Sequence, residues 1–233
     1  MEPGNPILVE RLFNDISANY DKLNDIFSFG LHRLWKKKLI ALLDPKSNED
    51  WIDICCGTGD VAFLLARHVL PNGKILGIDS ADKPLDLAKK KSREYLSLPL
   101  SWSKRNALQT ELPDCSFDGA VMAYGLRNLT DPLQGLQEIK RILKPKGRAG
   151  ILDFNKNSPG SLGANFQHFY LTKITVPIAK KFGLGDHYKY LLESLKAFPD
   201  GNELEFMARE AGFKESNYHA IAFGQMGILL LEN

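Results

Sequence analysis

Trp51-Ile52-Asp53-Ile54-Cys55-Cys56-Gly57-Thr58-Gly59-Asp60 narrows the folds open to this chain more than any other stretch. It predicts a buried strand that breaks into a glycine turn and feeds a helix from near Val61. A Gly-x-Gly turn after a strand lets backbone pass close to a ligand, because a residue without Cβ puts no wall there. The helix that follows points its free N–H groups at the same crevice. A second apolar run, Lys74-Ile75-Leu76-Gly77-Ile78, closes on Asp79, about twenty residues past the turn, where an acidic side chain can accept from a ribose diol. Gly57-Thr58-Gly59 alone is compatible with a plain strand, turn and helix; Asp79 at that spacing makes a nucleoside-binding α/β unit the better reading. The pattern does not choose between a dinucleotide and S-adenosylmethionine, since Ala62 is tolerated where a dinucleotide fingerprint carries its third glycine.

Ahead of this unit, Val9, Leu12, Phe13 and Ile16 recur at helical spacing from Ile7, with Tyr20 and Leu23 following. A second helix is expected over His32–Leu43, with Leu31, Trp35, Leu39 and Leu42 on its inner face. Asp44-Pro45 ends it. Lys36, Lys37 and Lys38 read as a solvated face or as a weak handle on an anionic bilayer. Residues 7–44 precede the first strand and are expected to fold over the sheet as a helical lid.

After the glycine turn, helix and strand alternate: a helix over Val61–Val69, a strand over Lys74–Asp79, a helix over Lys83–Tyr95 and a strand over Leu100–Lys104. A fourth strand spans Phe117–Tyr124, a helix Leu133–Leu143 and a fifth strand Arg148–Phe154, with Lys144-Pro145-Lys146-Gly147 as the break before it. Such alternation demands a parallel sheet covered on both faces. It stops at an aromatic-rich insert, 158–200, expected to hold helices broken at Pro177 and around Gly183–Gly185. A long connection in a compact domain is usually functional. A helix over Gly201–Ala211 and a hairpin of Tyr218–Phe223 with Gly227–Leu231 close the chain.

At 233 residues, 44% of them hydrophobic and 25% charged, the chain suits one large α/β domain spanning 1–233. A formal net charge of +2 and the lack of an arginine-rich stripe argue against nucleic acid as a partner. Three cysteines, two adjacent, make neither a disulfide framework nor a zinc site, and imply a reducing, cytoplasmic setting. Cys55 and Cys56 read as small hydrophobes at a strand end. No run of eighteen apolar residues suggests a membrane span, and Met1–Pro6 lacks the features of a signal or transit peptide.

Five alternating units and a closing hairpin resemble the Rossmann-like class I S-adenosylmethionine methyltransferases: a seven-stranded, mostly parallel sheet with an antiparallel last strand. The motifs sharpen this. Asp53-x-Cys-Cys-Gly57-Thr58-Gly59-Asp60, Leu112-Pro113-Asp114-x-Ser116-Phe117-Asp118, Tyr124-Gly125-Leu126-Arg127-Asn128 and Leu143-Lys144-Pro145-x-Gly147-Arg148 resemble the ubiquinone/menaquinone biosynthesis C-methyltransferase family. So do Phe13-x-x-Ile16-x-x-x-Tyr20-Asp21-x-Leu23-Asn24 and His32-Arg33-x-Trp35-Lys36. Leu152-Asp153-Phe154-Asn155-Lys156, Tyr188-x-Tyr190-Leu191-x-x-Ser194 and Gly224-x-Met226-Gly227 are similar to the branch that methylates 2-phytyl-1,4-naphthoquinone. The resemblance implies S-adenosylmethionine as cofactor, with contacts from Thr58, Asp79, Asn106 and Ala107 beside Asp53, Gly57 and Gly59 of the turn. Asn106 also reads as an ordinary turn residue. Cys55 departs from the glycine common in the wider fold, and Arg105 stands where the family has an acid.

The implied acceptor is a prenylated naphthoquinol, methylated in the last step of phylloquinone formation. A demethylmenaquinone or a ubiquinone precursor is the alternative. Methylating ring carbon needs an electron-rich ring, hence an ionised hydroxyl. Arg127 is the expected oxyanion stabiliser, with Asn128 positioning it, and the competing reading pairs Arg127 with Asp131 or Glu138. His187, Asp153 and Tyr188 are candidate bases; Tyr124, Tyr170 and Tyr188 are expected to contact the acceptor. No metal is needed. A lipid acceptor implies transient contact with a quinone-containing membrane, and homo-oligomerisation stays open. A nicotinamide-dependent reductase and a non-catalytic assembly subunit are the readings from other classes.

Overall fold

The computed structural model describes residues 4–17, 20–158, 160–181 and 185–233, except the side chains of 20, 21, 174, 178, 180, 181 and 186–188. Its strands are β1 (Trp51–Ile54), β2 (Ile75–Asp79), β3 (Leu100–Lys104), β4 (Phe117–Ala123), β5 (Leu143–Phe154), β6 (Glu215–Ile221) and β7 (Met226–Glu232). β1 is buried along its whole length, so it needs a partner on each edge and a layer on each face. It pairs in parallel with β2 and β4, which pair in parallel with β3 and β5. β7 runs antiparallel between β5 and β6. The order β3-β2-β1-β4-β5-β7-β6 is the expected seven-stranded sheet with its last strand antiparallel. Strand order reverses between β1 and β4, which opens a crevice at their carboxyl ends.

Helices α1 (Pro6–Ile16), α2 (Tyr20–Ser28) and α3 (Leu31–Leu43) precede the sheet. α4 (Asp60–Ala66), α5 (Asp82–Ser92) and α6 (Pro132–Ile142) connect its parallel strands. The insert holds α7 (Leu162–Phe169), a π-helical stretch Tyr170–Thr175, α8 (Val176–Lys181) and α9 (Gly185–Ala197), and α10 (Gly201–Glu210) leads into β6. Alternation along β1 assigns the two layers. Trp51 packs with Leu39 and Leu43 of α3 and with Val61 and Leu65 of α4. Ile52 and Ile54 pack with Leu136 and Ile139 of α6 and with Leu204 and Ala208 of α10.

Three expectations need correction. The inner face of α3 is His32, Lys36, Leu39, Ile40 and Leu43, while Leu31 and Leu42 are exposed. The face was misplaced because apolar periodicity discounts polar residues, and two of those turned inward here are polar. Lys36 is therefore not part of the solvated lysine face; only Lys37 and Lys38 are exposed. With Leu39 and Leu43 against β5 at Gly150, α3 is a layer of the sheet. Finally, β5 begins at Leu143: Phe117 pairs with Leu143 and Gly119 with Arg148, so Lys144–Gly147 bulges within the strand. That bulge is pinned by Asn233, which accepts from Lys146 N–H at 3.0 Å and donates to Gly147 O at 2.9 Å.

In the insert, Pro177 sits in the first turn of α8, directly after the π-helical stretch. The expected break at Gly183 and Leu184 lies outside the described residues, and Gly185 opens α9.

Candidate functional site

The crevice at the strand reversal is a cleft of about 290 Å³. The turn after β1, the end of β2, the loop after β3 and the end of β4 build its walls, and α1 covers it with Val9, Glu10 and Phe13. Two residues beside it hold backbone conformations that side chains avoid, Cys55 at φ 56° and Tyr124 at φ 62°. Each costs about 1–3 kcal/mol, the kind of strain that gathers at functional sites. Cys55 thus stands where glycine would be unstrained, and it lines the cleft instead of simply filling core. Gly125 is required by the same close approach, because a Cβ there would come within 2.8 Å of the Cys55 Cβ.

Asp79 is fixed by the glycine turn. Its Oδ2 accepts from Gly57 N–H at 2.8 Å and its Oδ1 from Ala81 N–H at 2.9 Å. Burial raises its carboxyl above the usual range against the pull of these backbone donors. Two backbone bonds leave lone pairs on both oxygens, the requirement for gripping a diol. Gly57, at φ +54°, has nothing within 4 Å of where a Cβ would stand, so the turn leaves open space at the cleft. Asn106 and Ala107 line the same cleft. The Asn106 Oδ1 accepts from Leu108 N–H at 2.9 Å, so the turn role is real, and the amide N–H groups are left for another partner. Arg105, beside it, donates to Thr110 O at 2.6 Å.

A recess of about 30 Å³ adjoins the cleft, and Cys55, Gly57, Ala123 and Tyr124 line both. Asp53, Thr58, Asp60 and Lys36 line the recess alone. Asp53 is 1% exposed and accepts from Ala62 N–H at 2.9 Å; burial pushes its carboxyl up to about 8. Gly59 sets the packing of the turn, at φ +87° with Trp102 where a Cβ would stand.

The loop after β4 is locked from behind. Arg127 donates through Nη1 to Asp153 Oδ1 at 2.9 Å and to Tyr124 O at 2.7 Å, and its guanidinium lies 5.2 Å from the Phe154 ring centroid. Asn128 Nδ2 also donates to Tyr124 O, at 2.9 Å. These bonds hold the strained Tyr124 in place. The competing partners are engaged elsewhere: Asp131 caps α6 through Gln134 N–H, and Glu138 accepts from Arg141 and Thr110. Arg127 is not among the residues lining the cleft, whereas Asn128 and Tyr124 are.

Of the other expected acceptor contacts, Tyr170 donates its hydroxyl to Phe27 O at 2.5 Å, joining the insert to the end of α2, and it does not line the cleft. The side chains of His187 and Tyr188 lie outside the described residues. Sequence reasoning missed Lys36, Asp60 and Tyr190. The Tyr190 hydroxyl donates to Asn128 Oδ1 and accepts from Gly4 N–H, both at 3.3 Å. Its Tyr188-x-Tyr190 motif was visible, but nothing in it indicated a buried bond to the β4 loop. No group of three His, Cys, Asp or Glu among the described residues is arranged to hold a metal ion.

Residues 3–230 match the model of the ubiE/COQ5 methyltransferase family. The chain is 41% identical over 224 residues to a 2-phytyl-1,4-naphthoquinone methyltransferase of Nostoc punctiforme, covering 96% of this chain and 97% of that one. It is 38% identical over 224 residues to the chloroplastic 2-phytyl-1,4-beta-naphthoquinone methyltransferase of Arabidopsis thaliana, covering 94% and 85%. Its fold matches that of an S-adenosylmethionine-dependent methyltransferase from Thermotoga maritima with a TM-score of 0.66, at 19% identity over 95% of this chain and 98% of that one. The expected enzyme class and methyl donor agree with these findings, which decide against the nicotinamide-dependent reductase. A crevice at the β1/β4 reversal, an acid closing β2 and a match over nearly the full length lead to one assignment: the chain belongs to the ubiE/COQ5 methyltransferase family.

Proposed function

We propose that the protein methylates a ring carbon of a prenylated naphthoquinol, with the phytyl-bearing quinol as first substrate and phylloquinol as product. The observation that carries this reading is identity of about 40% over nearly the whole chain to relatives named for that naphthoquinone. The cleft supports it. Asp79 and the glycine turn suit the nucleoside of S-adenosylmethionine, and Tyr124 and Asn128 form a wall for the acceptor. When bound, the donor supplies an electrophilic methyl on a sulfonium centre. A quinol hydroxyl resembles a phenol, with a pKa near ~10, so ionising it at pH 7 costs about 4 kcal/mol.

In this reading Asn128, which lines the cleft, meets the quinol oxygen. Arg127, with its charge spent on Asp153, acts by holding Tyr124 and Asn128 rather than by touching the ring. This revises the oxyanion role expected for Arg127. His187 and Tyr188 on α9 stay candidates for the proton and for acceptor contact. α1 excludes water above the cleft; an N-terminal lid and the insert serving one methyltransferase domain are part of the same reading. Holding the sulfonium and ring carbon in line contributes further, an effect that reaches ~7–11 kcal/mol in well-oriented reactions.

No described helix is long and apolar enough to cross a membrane. Phe29, Leu162, Phe166, Phe169 and Phe223 are exposed, on the α2–α3 turn, the insert and the β6–β7 turn. Hydrogen bonds from Tyr170 to Phe27 and from Gln225 to Gly163 join these three segments. We assign them to peripheral contact with the quinone-containing membrane.

The test is transfer of label from S-adenosylmethionine to demethylphylloquinone, with and without a chemical reductant, beside demethylmenaquinone and demethoxybenzoquinone acceptors. Reductant-dependent label in phylloquinone is the expected result. Label confined to benzoquinones would overturn the substrate assignment.

A further inference from the structure

Lys36 is 6% exposed, yet its ammonium group makes a single hydrogen bond, 3.1 Å to Asp60 Oδ2. Burying a charged lysine is costly unless it is paired and its donors are used. One bond leaves two of its three N–H donors for a further partner. The recess it lines opens to the nucleoside cleft through four shared residues. Opposite charges face each other across this small space. Against the opposing effect of burial, Lys36 and Lys91 hold the Asp60 carboxyl below its usual range, and Lys91 Nζ lies 3.6 Å from Asp60 Oδ1. Asp53 lies at the floor of the recess, 1% exposed, and burial pushes its carboxyl up, away from the charged form.

We infer that Lys36 and Asp60 form the subsite for the amino-acid end of the methyl donor, with Lys36 donating to its α-carboxylate and Asp60 accepting from its α-ammonium. This rests on the proposed use of S-adenosylmethionine and adds residues to it. A zwitterion presents one anionic and one cationic group a few bonds apart, and the recess presents one cation and one anion beside the glycine turn. The Lys36–Asp60 bond pre-organises both groups, and the ligand replaces part of their mutual interaction with its own. Lys36 comes from α3, outside the nucleotide-binding unit, so the N-terminal helices contribute directly to donor affinity. The Lys36 ammonium also lies 6.0 Å from the Tyr124 ring centroid, which places it next to the residue that walls the acceptor side.

The test compares calorimetric affinities of wild type, Lys36→Met and Lys36→Arg for S-adenosylmethionine and for decarboxylated S-adenosylmethionine, which lacks only the carboxylate. Wild type should prefer the intact donor by about 10- to 100-fold, the range for a charge-assisted hydrogen bond. Lys36→Met should lose that preference through weaker binding of the intact donor alone, and Lys36→Arg should restore most of it. Binding of the decarboxylated compound certifies that Lys36→Met is folded; Lys36→Gln, which keeps a polar group in the recess without the charge, is the second variant and should lose the preference in the same way. Equal wild-type affinity for the two compounds, or an undiminished preference in folded Lys36→Met, would overturn the inference. Failure of wild type to bind S-adenosylmethionine at all would instead overturn the proposed donor.

Discussion

The sheet edge and the helices that cover it are built on different principles. At the sheet edge, position comes from backbone: the turn after β1 is fixed to Asp79 by Gly57 N–H, and Asp79 is fixed again by Ala81 N–H. In the cover, position comes from long-range side-chain bonds, such as Tyr190 to Asn128 and Tyr170 to Phe27. Backbone bonds inside one α/β unit are local and strict, so they suit an invariant ligand such as a nucleoside. Side-chain bonds between distant segments are few and replaceable, so they suit a surface that selects an acceptor. The loop after β4 lies between the two. It lines the cleft through Asn128 and is locked from the sheet side through Arg127 and Asp153.

The largest effect should come from breaking that lock. Arg127→Ala leaves Asp153, 3% exposed, as an uncompensated buried charge, and stability should fall by about 3–5 kcal/mol, read from the denaturant midpoint. A loss below about 1 kcal/mol would mean that the pair does not hold the loop.

Asp79→Ala comes next and probes the sheet edge alone. Losing charge-assisted bonds to a ribose diol should weaken S-adenosylhomocysteine binding by about 100-fold. Acceptor KM, measured at saturating donor, should stay within a few-fold. An equal loss on both sides would erase the proposed division.

Asp53 sharpens it through pH. Its folded carboxyl is raised from 3.8 to about 8, so between those values the folded protein holds a proton that the unfolded chain has released. Stability therefore falls as pH rises through that window, by up to about 1.4 kcal/mol per pH unit from this group. Asp53→Asn keeps an acceptor for Ala62 N–H and removes the titration. Its unfolding free energy, measured at intervals from pH 5 to 9, should decline less steeply than that of wild type.

The smallest change tests the cover. Tyr190→Phe removes the bonds to Asn128 and Gly4 for about 1 kcal/mol. It should raise acceptor KM by about three- to fivefold without moving S-adenosylhomocysteine affinity. A shift in donor affinity instead would tie the insert to the nucleoside side.

The same division governs what could be read from sequence. β1, β2 and β4 appear close to where their apolar runs place them, and Asp79 lies where the strand spacing puts it. Their signals are local and strand burial enforces them. The α3 face was misread because His32 and Lys36 turn inward where the neighbouring layer is polar. The partner of Arg127 lies 26 residues along the chain, on the next strand, and only sheet order brings it near. Cys55 gave only an indirect sign of its positive φ, by standing where the wider fold commonly has glycine, and Tyr170, one aromatic among many in the insert, gave no periodicity that would show it bonding α2 instead of lining the cleft.

The most direct test of the account is calorimetric titration of S-adenosylhomocysteine and NAD into wild type and Asp79→Ala. One site for S-adenosylhomocysteine in wild type, about 100-fold weaker in the variant, with no heat from NAD in either, is the predicted result. Tight S-adenosylhomocysteine binding that survives Asp79→Ala would contradict a donor seated at the β1/β4 reversal, and NAD binding there would contradict the donor itself.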